Sequence, residues 1–311
     1  MKLRVFSPIY GPGFPERYAT FALPSLTQAG NVPALVAAGH DVRVSLYTDL
    51  TSFPAVVEHG RPWASLIDIK IVPAGRGGVL VGAMHRAWQN DCLINEMREC
   101  IKADSYLAML GAGLVYGNGT LANLAIMAEA TGCAVSCIYL RAVEDSLRAA
   151  LADVDMIDGR LSNDELATLA VEHLHPGSRS DFETETSRCH MWGLALKQLG
   201  PRLFAVRFQV PSVFVFKPAM DDVAYFTLKG DFREWDSGWL DYLISRRRFA
   251  FLASSDLAFI AEATRATKMN MEHHDAVARK LGPMVNRTEY QGSDRQRTVI
   301  GQIRTSRDVA F

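Results

Sequence analysis

Leu3 to Ile9 is an apolar-rich run closed by Pro8 and the loop Tyr10-Gly11-Pro12-Gly13, which predicts a buried strand. Asp41 to Tyr47 alternates polar and apolar positions and predicts a second strand, with Ile67 to Val72 a third. Between the first two, Tyr18 to Ala38 keeps a helical pattern interrupted by Pro24 and Pro33, so two short helices are expected. Ser52 to Glu58 reads as helix. The loop Gly75-Arg76-Gly77-Gly78 precedes a long polar helix expected from about Val81 to Ala103. Tyr106 to Leu110 then predicts a fourth strand, Leu121 to Ala130 a helix, and Ala134 to Leu140 a fifth strand. Helices crossing between short strands build a parallel sheet, and such sheets bind ligands at their carboxyl ends.

The texture changes after Arg141. Val143 to Val154 and Asn163 to Leu174 are amphipathic helices without a strand between them, and Asp181 to Leu199 continues helical. Leu203 to Phe208, Val213 to Phe216 and Ala224 to Leu228 read as late strands, Trp239 to Leu281 as helix, and the tail from Asn286 as polar and irregular. The expectation is an α/β fold, Rossmann-like, with a mostly parallel central sheet and flanking helices. Residues 1–142 would form one half, residues 143–285 a second half with helices and late strands sharing that sheet and a helical cap, and 286–311 a polar tail.

Charge narrows the partners. With 33 basic and 34 acidic residues the net charge is −1, so no global basic field attracts nucleic acid, and Arg246-Arg247-Arg248 reads as a solvated helix face. The five cysteines are an odd set without a paired framework, which fits reduced thiols and a cytoplasmic protein. Met1 to Phe6 enters a strand without a signal-peptide core, and no apolar run approaches the roughly 20 residues of a membrane span. Neither a G-x-S-x-G elbow nor a G-x-x-x-x-G-K-[ST] loop occurs, which removes the commonest hydrolase and nucleotide-triphosphatase classes.

Candidate chemistry gathers at the strand ends. Pro8 and Tyr10 end the first strand, where an aromatic ring is placed to stack on a base. Thr48 and Asp49 end the second; Asp49 suits a ribose or base N–H, and both residues also suit helix N-capping. Arg86 and Asn90 share one helix face behind the glycine loop, and Arg86 is placed for a phosphate. His173 and His175 stand at a helix end, where a cation is favoured, and Asp231 follows Gly230 as a turn residue or a late acid. Gly111-x-Gly113-x-x-x-Gly117 looks like a dinucleotide fingerprint after a strand. Against it, Tyr116 holds the sixth position, Asn118-Gly119 falls where the binding helix should run, and the next strand ends at Arg141, not at an acid.

A second reading carries the fourth strand on from Tyr106 through Tyr116, with Gly113 inside it and Gly117-Asn118-Gly119-Thr120 as the exit turn. The order of Pro8-Ile9-Tyr10, Tyr47-Thr48-Asp49, a long helix with Arg86 and Asn90, and the strand Ala103-Asp104-Ser105-Tyr106-Leu107-Ala108-Met109-Leu110 resembles nucleotide-diphospho-sugar transferases of the GT-A fold. The resemblance covers roughly the first 140 residues. It implies a nucleoside diphosphate sugar donor, bound through Pro8, Tyr10, Thr48, Asp49, Arg86, Asn90 and Asn118. Asp231 and His175 would serve the acceptor side, the acceptor being a glycan, lipid, protein or nucleic-acid base. That family's metal-binding Asp-x-Asp is replaced here by Gly117-Asn118-Gly119, whose single neutral amide is a poor cation ligand, so a divalent metal is doubtful. Either the enzyme is metal-independent, with Arg86 or another cation neutralising the pyrophosphate, or a later acid, Asp231 the best placed, supplies the ligand, or the site is dead. An NAD(P)-dependent oxidoreductase using Gly111, Gly113 and Gly117, and a non-catalytic binding protein on the same fold, are the alternatives.

Overall fold

The computed structural model describes residues 1–11, 13–74, 82–154, 156, 161–175, 194–208, 212–232, 235, 238–265 and 299–309. The glycine loop over 75–78, the expected helix over 181–193, the part of the later expected helix beyond residue 265, and the tail over 286–298 lie outside them.

The first half follows the hydrophobic pattern. β1 (Lys2–Ile9), β2 (Asp41–Thr48), β3 (Asp68–Pro73) and β4 (Tyr106–Met109) are parallel neighbours in the order β3-β2-β1-β4. Their connections carry α1 (Phe14–Arg17), α2 (Leu23–Thr27), α3 (Val32–Ala37), α4 (Phe53–Gly60) and α5 (Gly82–Ala103). The break expected at Pro24 is absent. A π-helical stretch, Tyr18–Ala22, joins α1 to α2, with the Leu23 N–H bonding to the Tyr18 carbonyl five residues back. Looser winding just before Pro24 accommodates its missing N–H, and the chain breaks instead between Thr27 and Val32.

The expected long fourth strand is two strands. β4 stops at Met109, the chain turns through Leu110 to Gly113, and β5 (Leu114–Tyr116) pairs antiparallel with β11 (Phe259–Thr264). After α6 (Thr120–Thr131) comes β6 (Ala134–Val143), the sheet's long axis. One flank of β6 takes β9 (Val215–Phe216) antiparallel; the other takes β10 (Phe249–Leu252) and then β11, both parallel. The sheet therefore has nine strands, mostly parallel, in the order β3-β2-β1-β4-β9-β6-β11-β5 with β10 beside β6. β7 (Leu194–Gly200), β8 (Leu203–Phe208) and β12 (Val299–Arg304) form a separate antiparallel sheet.

Four sequence expectations fail in the second half. Leu194 to Leu199 is strand, not helix, because Gly200-Pro201 turns it onto β8. Ala224 to Leu228 lies in α9 (Met220–Lys229), whose Asp222 carboxylate caps the Ala219 N–H at 2.9 Å and whose end is set by Gly230 at φ 65°. The helix begun at Trp239 is α10 (Gly238–Ser245) and gives way to β10 and β11; the tail returns as β12.

α7 (Glu144–Leu151) and α8 (Asn163–Glu172) pack beside β6 and β11 through Leu147, Leu151, Leu166 and Val171. α5, α9 and α10 cover the same face farther along, beside β1, β4 and β9, with Trp88, Met97, Phe226 and Trp239, and α2, α3 and α6 cover the other face with Leu26, Leu35, Leu121 and Leu124. Strands covered on both faces explain the apolar-rich runs of β1, β4 and β6. Among the described residues no helix is long and apolar enough to cross a membrane.

Candidate functional site

β2 lies on one side of β1 and β4 on the other, so the strand order reverses between β1 and β4. Ligand crevices of open α/β sheets lie outside the carboxyl ends at such a reversal. The residues there are those after β1 and the turn after β4. Pro8 fits because β4 pairs with β1 only as far as Phe6, so no N–H is required of it on that side.

Tyr10 leaves β1 into an aromatic pad. Its ring centre lies 3.4 Å from that of His85, 4.6 Å from Phe14 and 5.8 Å from Trp88. The pad is held from below, where Trp88 Nε1 donates to the Ala74 carbonyl at 2.8 Å. Burial pushes the Tyr10 phenol up to about 12, against the pull of Arg17. Burial, then the adjacent Arg86, brings His85 down to about 4, so the pad is uncharged at neutral pH. Beside it Arg86 Nε faces Asp231 Oδ1 at 3.4 Å, both side chains roughly a quarter to a third exposed. The fold thus sets Arg86 next to the His85 that meets Tyr10, and brings Asp231 from beyond α9 to meet Arg86.

Asp49 and Asn90 are spent on the scaffold. The Asp49 carboxylate accepts from the N–H groups of Gly11, Thr51 and Ser52 and from the Ser52 hydroxyl, at 2.8–3.0 Å. Burial works to raise its pKa, and these hydrogen bonds outweigh it and hold the carboxyl below its usual value. Asp49 therefore ties the loop that carries Tyr10 to the end of β2, beside Thr48. Asn90, buried on α5, donates from Nδ2 to the Phe226 carbonyl at 3.1 Å and stitches α5 to α9.

Asn118 stands elsewhere. β5 runs against β11, so Gly117-Asn118-Gly119 leaves it opposite to the carboxyl ends of β1, β2, β4 and β6. Asn118 Oδ1 accepts from the Gly30 N–H at 2.7 Å, and its own N–H donates to the Leu161 carbonyl at 2.9 Å. The first turn of α6 is closed too, the Leu121 N–H donating to Asn31 Oδ1 at 2.9 Å.

The turn after β4 holds what the sequence did not announce. A Cβ on Gly113 would lie 2.6 Å from Arg17 Nη2 and 2.8 Å from the Ala263 carbonyl oxygen. The missing side chain is the room through which Arg17 reaches the end of β11, donating to that same carbonyl. Gly113 thus lies in a turn against a guanidinium, not inside an extended strand. Arg17 Nε and Arg265 Nε stand 3.1 and 3.4 Å from Glu144 Oε2, and Arg148 Nη2 is 3.1 Å from Glu144 Oε1. Arg148 also meets Glu16 at 2.9 Å, and Arg141 meets Glu262 across the β6–β11 register at 2.8 Å. Buried His175 abuts this group, its N–H donating to the Arg141 carbonyl at 2.9 Å. Only the Glu144–Arg148 helical spacing was readable beforehand; Arg17 and Arg265 reach Glu144 from distant segments without a local signal.

No protein-family model matches the chain, and no curated protein does. Among solved structures, the apo form of mouse xyloside xylosyltransferase 1 aligns with 50% of this chain and 59% of its own, at 9% identity and a TM-score of 0.32. Mannose-1-phosphate geranyltransferase from Thermus thermophilus aligns with 74% of this chain and 54% of its own, at 14% identity and a TM-score of 0.27. The chain thus spans little more than half the length of either.

Proposed function

We propose that the protein is a glycosyltransferase-like enzyme that takes a nucleoside diphosphate sugar at the β1–β4 reversal. The observation that carries this reading is the neutral aromatic pad of Tyr10, Phe14, His85 and Trp88, with Arg86, paired to Asp231, close enough for its charge to act on His85. A planar base requires an apolar face to stack on, and a diphosphate requires a guanidinium, whose planar fork matches its oxygens. Arg86 exchanges Asp231 for the diphosphate, and the released carboxylate is left facing the acceptor.

Transfer is a displacement at the anomeric carbon. The acceptor oxygen forms the new bond there while the bond to the phosphate oxygen breaks, its electron pair leaving on the nucleoside diphosphate. Asp231 receives the acceptor's proton. Positioning, and stabilisation of the leaving diphosphate by Arg86, supply the acceleration. The described residues offer no set that fits a divalent cation. Among those described no three His, Cys, Asp or Glu side chains converge, and the Asn118 oxygen already accepts from Gly30. No step runs through a metal. The dinucleotide reading loses its footing because Arg17 fills the space over Gly113 and Asn31 closes the start of α6.

A thermal-shift screen of UDP-, GDP- and CMP-sugars, with and without Mn²⁺, against NAD and NADP tests this, since a ligand of the folded state raises its apparent stability. A nucleotide sugar should shift the melt without Mn²⁺. Arg86→Ala should weaken its binding by about 1.5–3 kcal/mol, the worth of a hydrogen bond to a charged group. An unchanged Kd in a variant that melts normally refutes the assignment.

A further inference from the structure

Tyr10 is covered on both faces. Its ring centre lies 3.4 Å from that of His85 and 4.6 Å from that of Phe14, while among the described residues Phe14 and His85 make no ring contact with each other. Two rings that close to a third on one face would overlap, so His85 and Phe14 stand on opposite faces. Neither face is open to a ligand. The phenol ring fills a slot one ring deep between α5, which carries His85, and α1, which opens on Phe14.

The walls of this slot are anchored, and its filling is not. Trp88 lies three residues beyond His85 on α5, its ring centre 6.4 Å away, and its Nε1 donates to the Ala74 carbonyl at 2.8 Å. Phe14 has the Arg17 guanidinium 5.5 Å from its ring centre, and Arg17 is itself paired with Glu144. Asp49 holds the Gly11 N–H at 3.0 Å and so fixes the backbone that follows Tyr10. The half-buried Tyr10 side chain has ring contacts alone; among the described residues its hydroxyl makes no hydrogen bond. His85 Nε2 is buried and is likewise without a hydrogen-bond partner among those residues. A phenol ring stacked on it offers only carbon, whereas a nucleoside base carries N–H and C=O groups round its edge.

We propose that Tyr10 is a built-in occupant of a slot for a planar ring, and that the donor's base enters by displacing it from between Phe14 and His85. The second clause rests on the transferase reading. The base takes over both ring contacts, so the apolar faces of Phe14 and His85 stay covered through the exchange. Arg86, next to His85 on α5, then meets the diphosphate. The slot is open only in the fraction of molecules whose Tyr10 has swung out, and the apparent affinity falls by that fraction. A ring in place about nine-tenths of the time weakens binding about tenfold.

Isothermal titration with UDP, GDP and CMP, without metal, tests the exchange on the intact chain. Tyr10→Ala should bind whichever nucleotide wild type takes about tenfold more tightly, because its slot is always open. Tyr10→Phe keeps the ring and should stay within about twofold of wild type. Phe14→Ala removes a wall and should weaken binding in either background. Weaker or unchanged binding by Tyr10→Ala overturns the displacement. A second measurement needs no variant. In wild type the NMR Overhauser contacts between the Tyr10 and His85 rings should vanish at saturating nucleotide and give way to contacts between the base and His85; their persistence in the complex overturns the proposal. Indole, a planar ring without a phosphate, tests the slot apart from the donor. It should shift the His85 ring signals of Tyr10→Ala at concentrations that leave those of wild type unmoved, and equal shifts, or none in either, overturn the slot. If no nucleotide binds either protein, the transferase reading and the donor-base clause fall, while indole binding confined to Tyr10→Ala still upholds the slot. The melting temperature of Tyr10→Ala checks that the variant is folded.

Discussion

Replacing Gly113 with alanine adds one methyl group at the most contested point of the sheet's carboxyl edge. Its Cβ would lie 2.6 Å from Arg17 Nη2 and 2.8 Å from the Ala263 carbonyl oxygen. The guanidinium is the end of a flexible chain and can withdraw. The carbonyl belongs to β11, and Gly113 and Ala263 are joined there by a 2.8 Å backbone hydrogen bond, so it cannot. Overpacking of this kind costs about 1–3 kcal/mol. Withdrawal of Arg17 adds a share of the roughly 1.5–3 kcal/mol of a charged hydrogen bond. Arg148 and Arg265 still face Glu144, so the larger cost of an orphaned buried charge is not reached. Against this stands about 0.4–1 kcal/mol gained by restricting the unfolded chain. The net expectation is a loss of about 2–4 kcal/mol, read as a fall in the urea midpoint at unchanged slope. In an Arg17→Ala background only the carbonyl remains in the way, so the same substitution should cost at least about 1 kcal/mol less, a coupling expected of contacting residues. A neutral Gly113→Ala, or additivity within about 0.5 kcal/mol, would refute the idea that this glycine exists to admit Arg17.

His85 titrates near 4 in the folded protein against about 6.5 when unfolded. Between those values the unfolded chain binds the extra proton, so its contribution is intact above pH 6.5 and is lost as pH falls toward 4. Wild type should lose stability relative to His85→Gln across that window, and an NMR titration of the ring should place its midpoint near 4; a midpoint near 6.5 sinks the account. Asp49→Ala removes four hydrogen bonds to a carboxylate and should cost at least about 1.5–3 kcal/mol. It should also expose the loop amides of Gly11, Thr51 and Ser52 to faster hydrogen exchange, and unchanged exchange there would refute the loop-anchoring role.

How far the sequence was legible depended on how local each cause was. β1 and β6 announce themselves because strands covered on both faces need apolar-rich runs, β2 because its polar and apolar positions alternate, and α5 because a long polar run between strands admits little else. Tyr106 to Tyr116 misled because apolar residues lie on both sides of Leu110 to Gly113, and whether those four residues turn is decided by β11, which comes far later in the chain. The signs for α9 were present, with Asp221 and Asp222 in its first turn and Gly230 after it, and the apolar Ala224 to Phe226 obscured them. At the site, Tyr10 and Arg86 were legible from strand-end and helix-start positions. Asp49 ties the turn ahead of α4 to the Gly11 loop, while the N-cap position itself falls on Ser52. The Arg17–Glu144–Arg265 convergence was illegible, since its members meet only after the sheet has formed.

A glycine in a sequence records a vacancy without recording its occupant, and the stretch from Gly111 to Gly119 turns on that difference. In a dinucleotide fold the vacancy admits an anion, and the backbone and a helix start supply the positive end. Here the vacancy over Gly113 admits a cation, and that over Gly117 admits Asn163, whose Oδ1 occupies the place a Cβ would need. The α6 start faces Asn31 in place of a phosphate. The sign of the charge at the turn is thereby reversed. An anionic ligand arriving at this edge meets no bare backbone, and the guanidinium for which the backbone has made room is already paired with Glu144. A change at Gly113 must therefore act on stability, through the arginine it displaces, and not on the capture of a phosphate. That asymmetry separates the two chemistries at one turn, whatever the identity of the substrate.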